Sequence, residues 1–379
     1  MNNRCKEEQE TVRGCSGECD YCEDTETCEQ SGYCKEGRGM IEEGIAKDLS
    51  MVVENAKLMG CQEVKSFRHI PLKDDTGMTY QMDLFKGAPD DEAIKMIQYY
   101  ETLAVENDPR GYCVCTSEGK DSRVLGHLFR RAGVKHFYMH SITGIDPPEL
   151  IYFQRKNFQE YKDTGYLTYD VRYRISMWNL MIKRRIPPLR NARYCCEELK
   201  ERRVEEQGNA ILSFGVRKHE SRKRAKNRDE LEIATPKGKR NIIMPFDNDD
   251  NRRTFEVCYA NLERRLNPIV DWYGENIWDY SHYWKLEQCC LYCEGFDRLG
   301  CIGCPMARKA VRERDFARWP KYKEQYIRTF GRMIEAREAA GLRIFNFGKT
   351  AQEWFDWWMS DKPVGDKDEA QLELELTEY

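Results

Sequence analysis

The chain has 379 residues, 40% of them hydrophobic, enough for one large domain or two ordinary ones that each bury a core. Its 61 basic and 65 acidic residues leave a net charge of −4, so any polyanion must be held by a local patch, not by the whole surface. Seventeen cysteines, an odd number that includes CxxC and CC spacings, fit metal ligation better than the paired disulfides of a secreted protein.

The opening MNNRCKEEQE is polar and lacks the apolar stretch of a secretory signal, and no run of about 18 apolar residues could span a bilayer. A reducing cytoplasm is therefore the expected setting, with no membrane partner. Residues 1–40 are cysteine-dense and poor in large aliphatics, so they need a metal or a docking surface to hold shape. Within them Cys5, Cys15, Cys19, Cys22, Cys28 and Cys34 form a cluster. The CxxxCxxC spacing at Cys15, Cys19 and Cys22 matches the radical S-adenosylmethionine motif, but no barrel pattern surrounds it. A small zinc knuckle on Cys15, Cys19, Cys22 and Cys34 is the expectation, with a metal-free thiol cluster as the alternative.

Residues 41–110 read as a helical extension, with MIEEGIAKDLSMVVENAKLMG repeating apolar positions at three and four, and a second helix near Asp91 to Val105. From Gly111 the pattern becomes strand (GYCVCT), turn, helix (DSRVLGHLFRRAG) and strand (KHFYMHSIT), with AILSFGVRK as a further strand. This order predicts an α/β fold, a doubly wound and mostly parallel sheet over residues 111–305. Residues 306–379 read as a helical region that mixes basic residues with Trp319, Tyr322, Trp354, Trp357 and Trp358 and closes in an acidic tail.

Ser117, Glu118, Gly119, Lys120, Asp121 and Ser122 fall between the first strand and its helix, where backbone N–H groups and the helix dipole favour phosphate. Lys120 can neutralise phosphate oxygens, the Ser117 and Ser122 hydroxyls can donate to them, and Gly119 lets the backbone approach closely. A Ser/Gly/Asp turn that merely caps a helix fits the same residues equally well.

With HSITGIDPPELIYF ending the next strand, the loop resembles the PP-loop superfamily, and specifically the phosphoadenosine phosphosulfate (PAPS) reductase family. In that resemblance SEGKDS grips phosphates, and Thr143, Gly144, Pro148 and Glu149 close the neighbouring edge. Glu118 stands where the family has its first glycine, which places a negative charge beside the phosphates. The likeness continues through RYCCEELK, GVRKHESRKR, NPIVDW and GFDRLGCIGCPM in the family's own order. It implies that Arg217 and Arg224 contact phosphate or sulfate; taken alone, that basic run reads equally as a solvated face.

Cys195 with Cys196, and Cys301 with Cys304, are four thiols from two distant segments that can close around zinc or an iron-sulfur cluster. Spacing does not choose between these metals. Similarity to sulfonucleotide reductases with a CC pair and a downstream CxxC implies a [4Fe-4S] cluster. Cys290 or Cys293 could replace one ligand, whereas Cys113, Cys115 and Cys258 sit in apolar runs and read as packing residues.

Two reactions fit the resemblance. One is attack of a thiolate on PAPS or adenylyl sulfate, releasing sulfite; the other is ATP-dependent activation by cleavage between the α and β phosphates, coupled to sulfur transfer. Family reductases carry their attacking cysteine in a C-terminal tail, and no cysteine follows Cys304 here. The intact GKDS half of the loop resembles the ATP-splitting members, so ATP with Mg²⁺ is the preferred ligand, Lys120 and Asp121 are the candidate catalytic residues, and a nucleic acid or a protein sulfur donor is the expected partner. A non-catalytic nucleotide-binding iron-sulfur protein is the third reading.

Overall fold

The computed structural model describes residues 89–201, 209–234, 241–257 and 262–362. The N-terminal cysteine cluster with Cys15, Cys19, Cys22 and Cys34, the first expected helix, Cys258 and the acidic tail lie outside the described residues.

Among the described residues, β1 (Tyr112–Cys115), β2 (His136–Ile142), β3 (Thr168–Arg172), β4 (Leu212–Phe214), β5 (Leu231–Ile233), β6 (Ile242–Met244) and β7 (Arg264–Leu266) form one sheet. Its order is β3-β2-β1-β4-β7-β5-β6. β1 pairs in parallel with β2 and β4, β2 with β3, and β4 with β7, while β5 runs antiparallel to β7 and β6 at one edge. The sheet is thus mostly parallel and α/β, as the strand–helix alternation predicts. The chain winds outward from β1 to β3 and then returns to β4 on the other side of β1. Such a reversal opens a crevice at the carboxyl ends of the two diverging strands.

Alternation along β1 sends Tyr112 and Val114 to one face and Cys113 to the other. On the first face lies α3 (Lys120–Ala132), whose Val124, Leu125, Leu128 and Phe129 are buried. It ends at Gly133 in the left-handed conformation, with Arg130 and Arg131 in the last turn where the helix dipole favours cations. The expected helix over 91–105 is present as two, α1 (Pro89–Tyr99) and α2 (Glu101–Asn107). The break falls at Tyr100, which leaves helical geometry while its ring packs 5.0 Å from that of Phe255.

The remaining helices of eight residues or more are α4 (Pro148–Asp163), α5 (Met177–Arg184), α8 (Asp249–Val257), α9 (Gly274–Tyr283), α10 (Lys309–Arg318), α11 (Pro320–Ala339) and α12 (Ala351–Met359); the short ones are α6 (Tyr194–Cys196) and α7 (Arg222–Asn227). α5, α11 and α12 build a second core around Trp178, Tyr326, Phe330, Trp354 and Trp358. The C-terminal helices therefore share their interior with residues from Ile145 to Leu199, and most of their aromatics face inward. Among the described residues, no helix is long and apolar enough to cross a membrane.

Candidate functional site

The loop between β1 and α3 sits at the crevice. Gly119 is the helix N-cap, and the helical ladder begins where the Arg123 N–H donates to the Gly119 carbonyl (3.0 Å). First-turn amides before that point have no partner within the helix and face the loop's concave side. The Ser122 hydroxyl donates to the Gly119 carbonyl (3.0 Å) and accepts from the Ser117 N–H (3.3 Å), so it braces the loop from within. Ser117 is exposed at the rim.

Lys120 is buried, and its ammonium donates to the Asp297 carbonyl (3.0 Å) and lies 3.4 Å from the Asp121 carboxylate. That same carboxylate accepts from Arg217 Nε at 2.6 Å. Two cations thus meet at the first turn of α3 with Asp121 between them. Asp121 holds both cations in place. β4 delivers Arg217 through Gly215, where a Cβ would come within 3.0 Å of the Asp121 backbone, so only glycine lets the strand end approach the loop. Arg224, the other expected anion contact, is ion-paired with Glu220 of the turn just before α7, and Lys218 is shared between Asp229 and Asp271.

Glu118 departs from the sequence expectation. Its carboxylate is turned away from the loop mouth and is fully buried, with 0% exposure. It accepts from the Thr116 hydroxyl (2.9 Å), from Asn157 Nδ2 (2.8 Å) and from Arg123 Nη1 (3.4 Å). Arg123 in turn donates to the Tyr161 hydroxyl at 2.5 Å. The backbone takes the left-handed conformation, φ 53°, that a glycine would adopt freely. The added negative charge therefore neutralises Arg123 beneath the loop instead of facing a phosphate.

The second element, residues 143–149, follows β2 at the same end of the sheet as the loop and touches the CxxC segment. The Thr143 hydroxyl donates to Asp146 Oδ2 (2.5 Å), and Gly144 turns the chain at φ 80°. Glu149 is buried and held by Arg318 (2.6 Å) and the Trp319 indole N–H (3.2 Å), with burial raising its pKa above the usual carboxylate range. Its carboxylate is committed to the C-terminal helices and not to the loop.

Cys195, Cys196, Cys301 and Cys304 are electrostatic neighbours. The Cys301 thiol lies 3.8 Å from the Thr143 hydroxyl and 3.7 Å from Asp146 Oδ1, which ties this centre to the second element. Burial pushes the Cys301 thiol up to about 12 against the opposing pull of Lys200. Within the adjacent pair, their mutual hydrogen bond raises Cys195 and lowers Cys196, and Arg193 reinforces the lowering. Lys200, next to Cys301, Asp146 and Cys196, is raised chiefly by Cys301. Four sulfur donors beside two cations suit a thiolate-bound metal in chemistry. Yet among the described residues no three His, Cys, Asp or Glu side chains stand at metal-ligating separation, so the thiols are gathered but do not form a closed cage. Of the other cysteines, Cys113 and Cys293 are buried, Cys115 and Cys290 are half-buried, and Cys289, which sequence reasoning passed over, is fully buried beside Cys290.

Other functional candidates had no local signal. Tyr292, whose hydroxyl accepts from the Lys120 N–H at 2.9 Å, is 172 residues away in sequence. Asn157 is separated from Glu118 by 39 residues.

The chain resembles an uncharacterised Methanocaldococcus jannaschii protein at 28% identity over 220 residues, covering 56% of this chain and 40% of that one. It also resembles an uncharacterised 37.8 kDa protein of Escherichia phage 186 at 30% identity over 143 residues, covering 35% and 36%. The chain thus spans less than half the length of these curated relatives. Among solved structures it is similar to the PAPS reductase of Candida auris in a phosphate complex, at 16% identity and TM-score 0.36, covering 58% of this chain and 96% of that one. A U34-tRNA thiolase of Methanococcus maripaludis with its [4Fe-4S] cluster is similar at 11% identity and TM-score 0.32, covering 73% and 82%. Scores this low identify no shared activity. The sequence model of the phosphoadenosine phosphosulfate reductase domain, however, matches residues 111–307, just over half of the chain and the whole stretch from β1 to the CxxC segment. This chain belongs to the phosphoadenosine phosphosulfate reductase domain family.

Proposed function

We propose that the chain binds the phosphates of an adenine nucleotide on the 117–122 loop, and that ATP is activated there for sulfur transfer. The observation that carries this reading is the convergence of the Lys120 ammonium and the Arg217 guanidinium at the first turn of α3, with Asp121 holding both. Two positioned cations and the first-turn amides are what a transition state with charge gathering on phosphate oxygens requires. An acceptor oxygen would attack the α phosphorus, the bond to the β,γ-phosphate oxygen would break, and pyrophosphate would leave with its charge offset by Lys120 and Arg217. A sulfur nucleophile would then displace AMP from the activated acceptor. Magnesium would arrive on the nucleotide's own phosphates.

Cys195, Cys196, Cys301 and Cys304 are the residues that would hold a [4Fe-4S] cluster. When bound, it would supply electrons or an iron site for sulfur. The contact between Cys301 and the Thr143–Asp146 pair supports a link between that chemistry and the second element. A nucleic acid is the acceptor class we favour, with a protein or small persulfide as sulfur donor.

The family match supports a second reading, reduction of PAPS or adenylyl sulfate by a thiol. Incubation of anaerobically prepared protein with labelled ATP or labelled PAPS, thioredoxin and candidate nucleic acids separates the two. Pyrophosphate and AMP are expected from ATP; sulfite without pyrophosphate would replace the first reading with the second, and turnover of neither nucleotide would leave a binding protein.

A further inference from the structure

The Tyr292 phenol lies inside the phosphate loop. It is 7% exposed, its oxygen accepts from the Lys120 N–H at 2.9 Å, and that oxygen lies 3.4 Å from where a Cβ on Gly119 would stand. The Lys120 ammonium is 5.7 Å from the centre of the same ring. Tyr292 belongs to the short turn Cys290–Tyr292, anchored where its own N–H donates to the Cys289 carbonyl (3.1 Å). Packing of its ring against Trp278, with centroids 5.2 Å apart, fixes the direction in which the hydroxyl points.

A phenol has one proton to donate as well as lone pairs that accept. Here a lone pair is used by the helix N-terminal amide, and the proton has no acceptor among the described residues. Burial pushes the phenol pKa above its ordinary value, so the proton stays on oxygen at neutral pH. A donor left over in a buried site, beside an ammonium and at the positive end of a 13-residue helix, is matched by an anionic oxygen.

We infer that Tyr292 is a phosphate-binding residue of this site, its hydroxyl accepting from the Lys120 amide and donating to a phosphoryl oxygen of the bound nucleotide. The hydroxyl takes over from the Lys120 amide as the donor facing the ligand and relays the helix dipole outward. Accepting from the amide polarises the O–H bond, which strengthens its donation to an anion. The turn that carries the CCLYC sequence is then part of the nucleotide site and not only a neighbour of the CxxC segment. This inference rests on the phosphate-loop reading of residues 117–122.

The test uses the full chain and three probes, ATP, inorganic pyrophosphate and adenosine, with binding measured calorimetrically. Tyr292→Phe should weaken ATP and pyrophosphate about tenfold or more while leaving adenosine unchanged, because adenosine carries no charged oxygen for the hydroxyl to reach. Replacing Tyr292 with 3-fluorotyrosine, which keeps the hydroxyl, should restore both affinities and controls for any packing defect. Equal or tighter pyrophosphate binding by Tyr292→Phe would overturn the inference, since the hydroxyl would then be neutral or a plug on the loop. Lys120→Ala, run in parallel, keeps the two readings apart. If it loses pyrophosphate while Tyr292→Phe does not, only the Tyr292 role fails; if neither variant loses it, the phosphate loop itself fails.

Discussion

Glu118 occupies a left-handed backbone position at φ 53°, a conformation that costs a residue with a Cβ about 1–2 kcal/mol. Three donors converge on its carboxylate, and Arg123 needs it as a counter-charge in a site closed to water. Breaking one half of a buried pair is costly, on the order of 3 kcal/mol or more, because the other charge stays behind. Glu118→Ala should therefore lower stability by about that much, read as a reduced urea midpoint. Glu118→Gly combined with Arg123→Met removes both charges and the strain together, and should destabilise the fold far less. If the double variant is no more stable than Glu118→Ala, the pair is not what holds Glu118. Lys120→Ala makes the complementary prediction: an unchanged urea midpoint with ATP affinity weakened roughly tenfold to hundredfold, the effect of one lost contact to a charged group. The loop was legible in the sequence because strand, loop and helix are contiguous. The fate of Glu118 was not, since its partner Asn157 comes from α4, and a side chain's direction at a φ of 53° is set by such tertiary partners.

Among the elements, β1, β2, β4 and α3 were readable from apolar runs and turn residues, whereas β5, β6 and β7 were not. Each of these three, like β4, spans only three residues, too few for a period-two pattern to show, and β4 was readable only because it lies in the longer run AILSFGV. The CxxC loop meets the second element at Ile145, whose carbonyl accepts from the Ile302 N–H at 2.7 Å. The CxxC loop turns at Gly303, φ 68°, where a Cβ would stand 2.4 Å from the Phe316 ring of α10. Gly303→Ala should push that loop off α10 and separate Cys301 and Cys304 from Cys195 and Cys196. Anaerobically purified wild-type protein is expected to be brown and to contain acid-labile sulfide. Gly303→Ala, Cys301→Ser and Cys304→Ser should each lose most of that colour, while ATP affinity changes little in Gly303→Ala. Zinc without sulfide in the wild-type protein would replace the cluster with a structural metal.

For the whole molecule, a histidine buried in the sheet is expected to lower stability in acid. His136, 6% exposed, donates through Nδ1 to the Val134 carbonyl (2.8 Å), and burial lowers its pKa to about 4. An unfolded chain would protonate it near pH 6.5, so between pH 6.5 and 4 the unfolded state binds the extra proton and stability falls as pH falls. Integrated over that window the loss is roughly 3 kcal/mol, fully recovered above pH 6.5. A urea midpoint that declines from pH 6.5 to pH 4.5 in wild type, and declines less in His136→Gln, is the expected result; parallel curves would remove His136 as the cause.

Among the described residues, the sheet core and the helical core are separate apolar clusters, with a third, smaller one around Phe137 on the other face of the sheet. Tyr112, Val124, Leu125 and Phe129, which anchor the ends of the phosphate loop, belong to the sheet core, while Cys289, Ile302, Tyr326 and Trp358 belong to the helical one. Regions with separate interiors can open separately, with amide exchange reporting each in turn. The Cys301 segment depends on the helical core, so a sub-global opening that releases α11 and α12 would expose the thiols to alkylation while β1 and α3 stay protected. Under mild denaturant, iodoacetamide labelling at Cys301 and Cys304 should then track exchange in α11 and run ahead of exchange in β1. The sulfur chemistry would thereby be lost first on oxidation or warming, together with the Tyr292 contact to the phosphate loop, and the part of the nucleotide grip carried by β1 and α3 last.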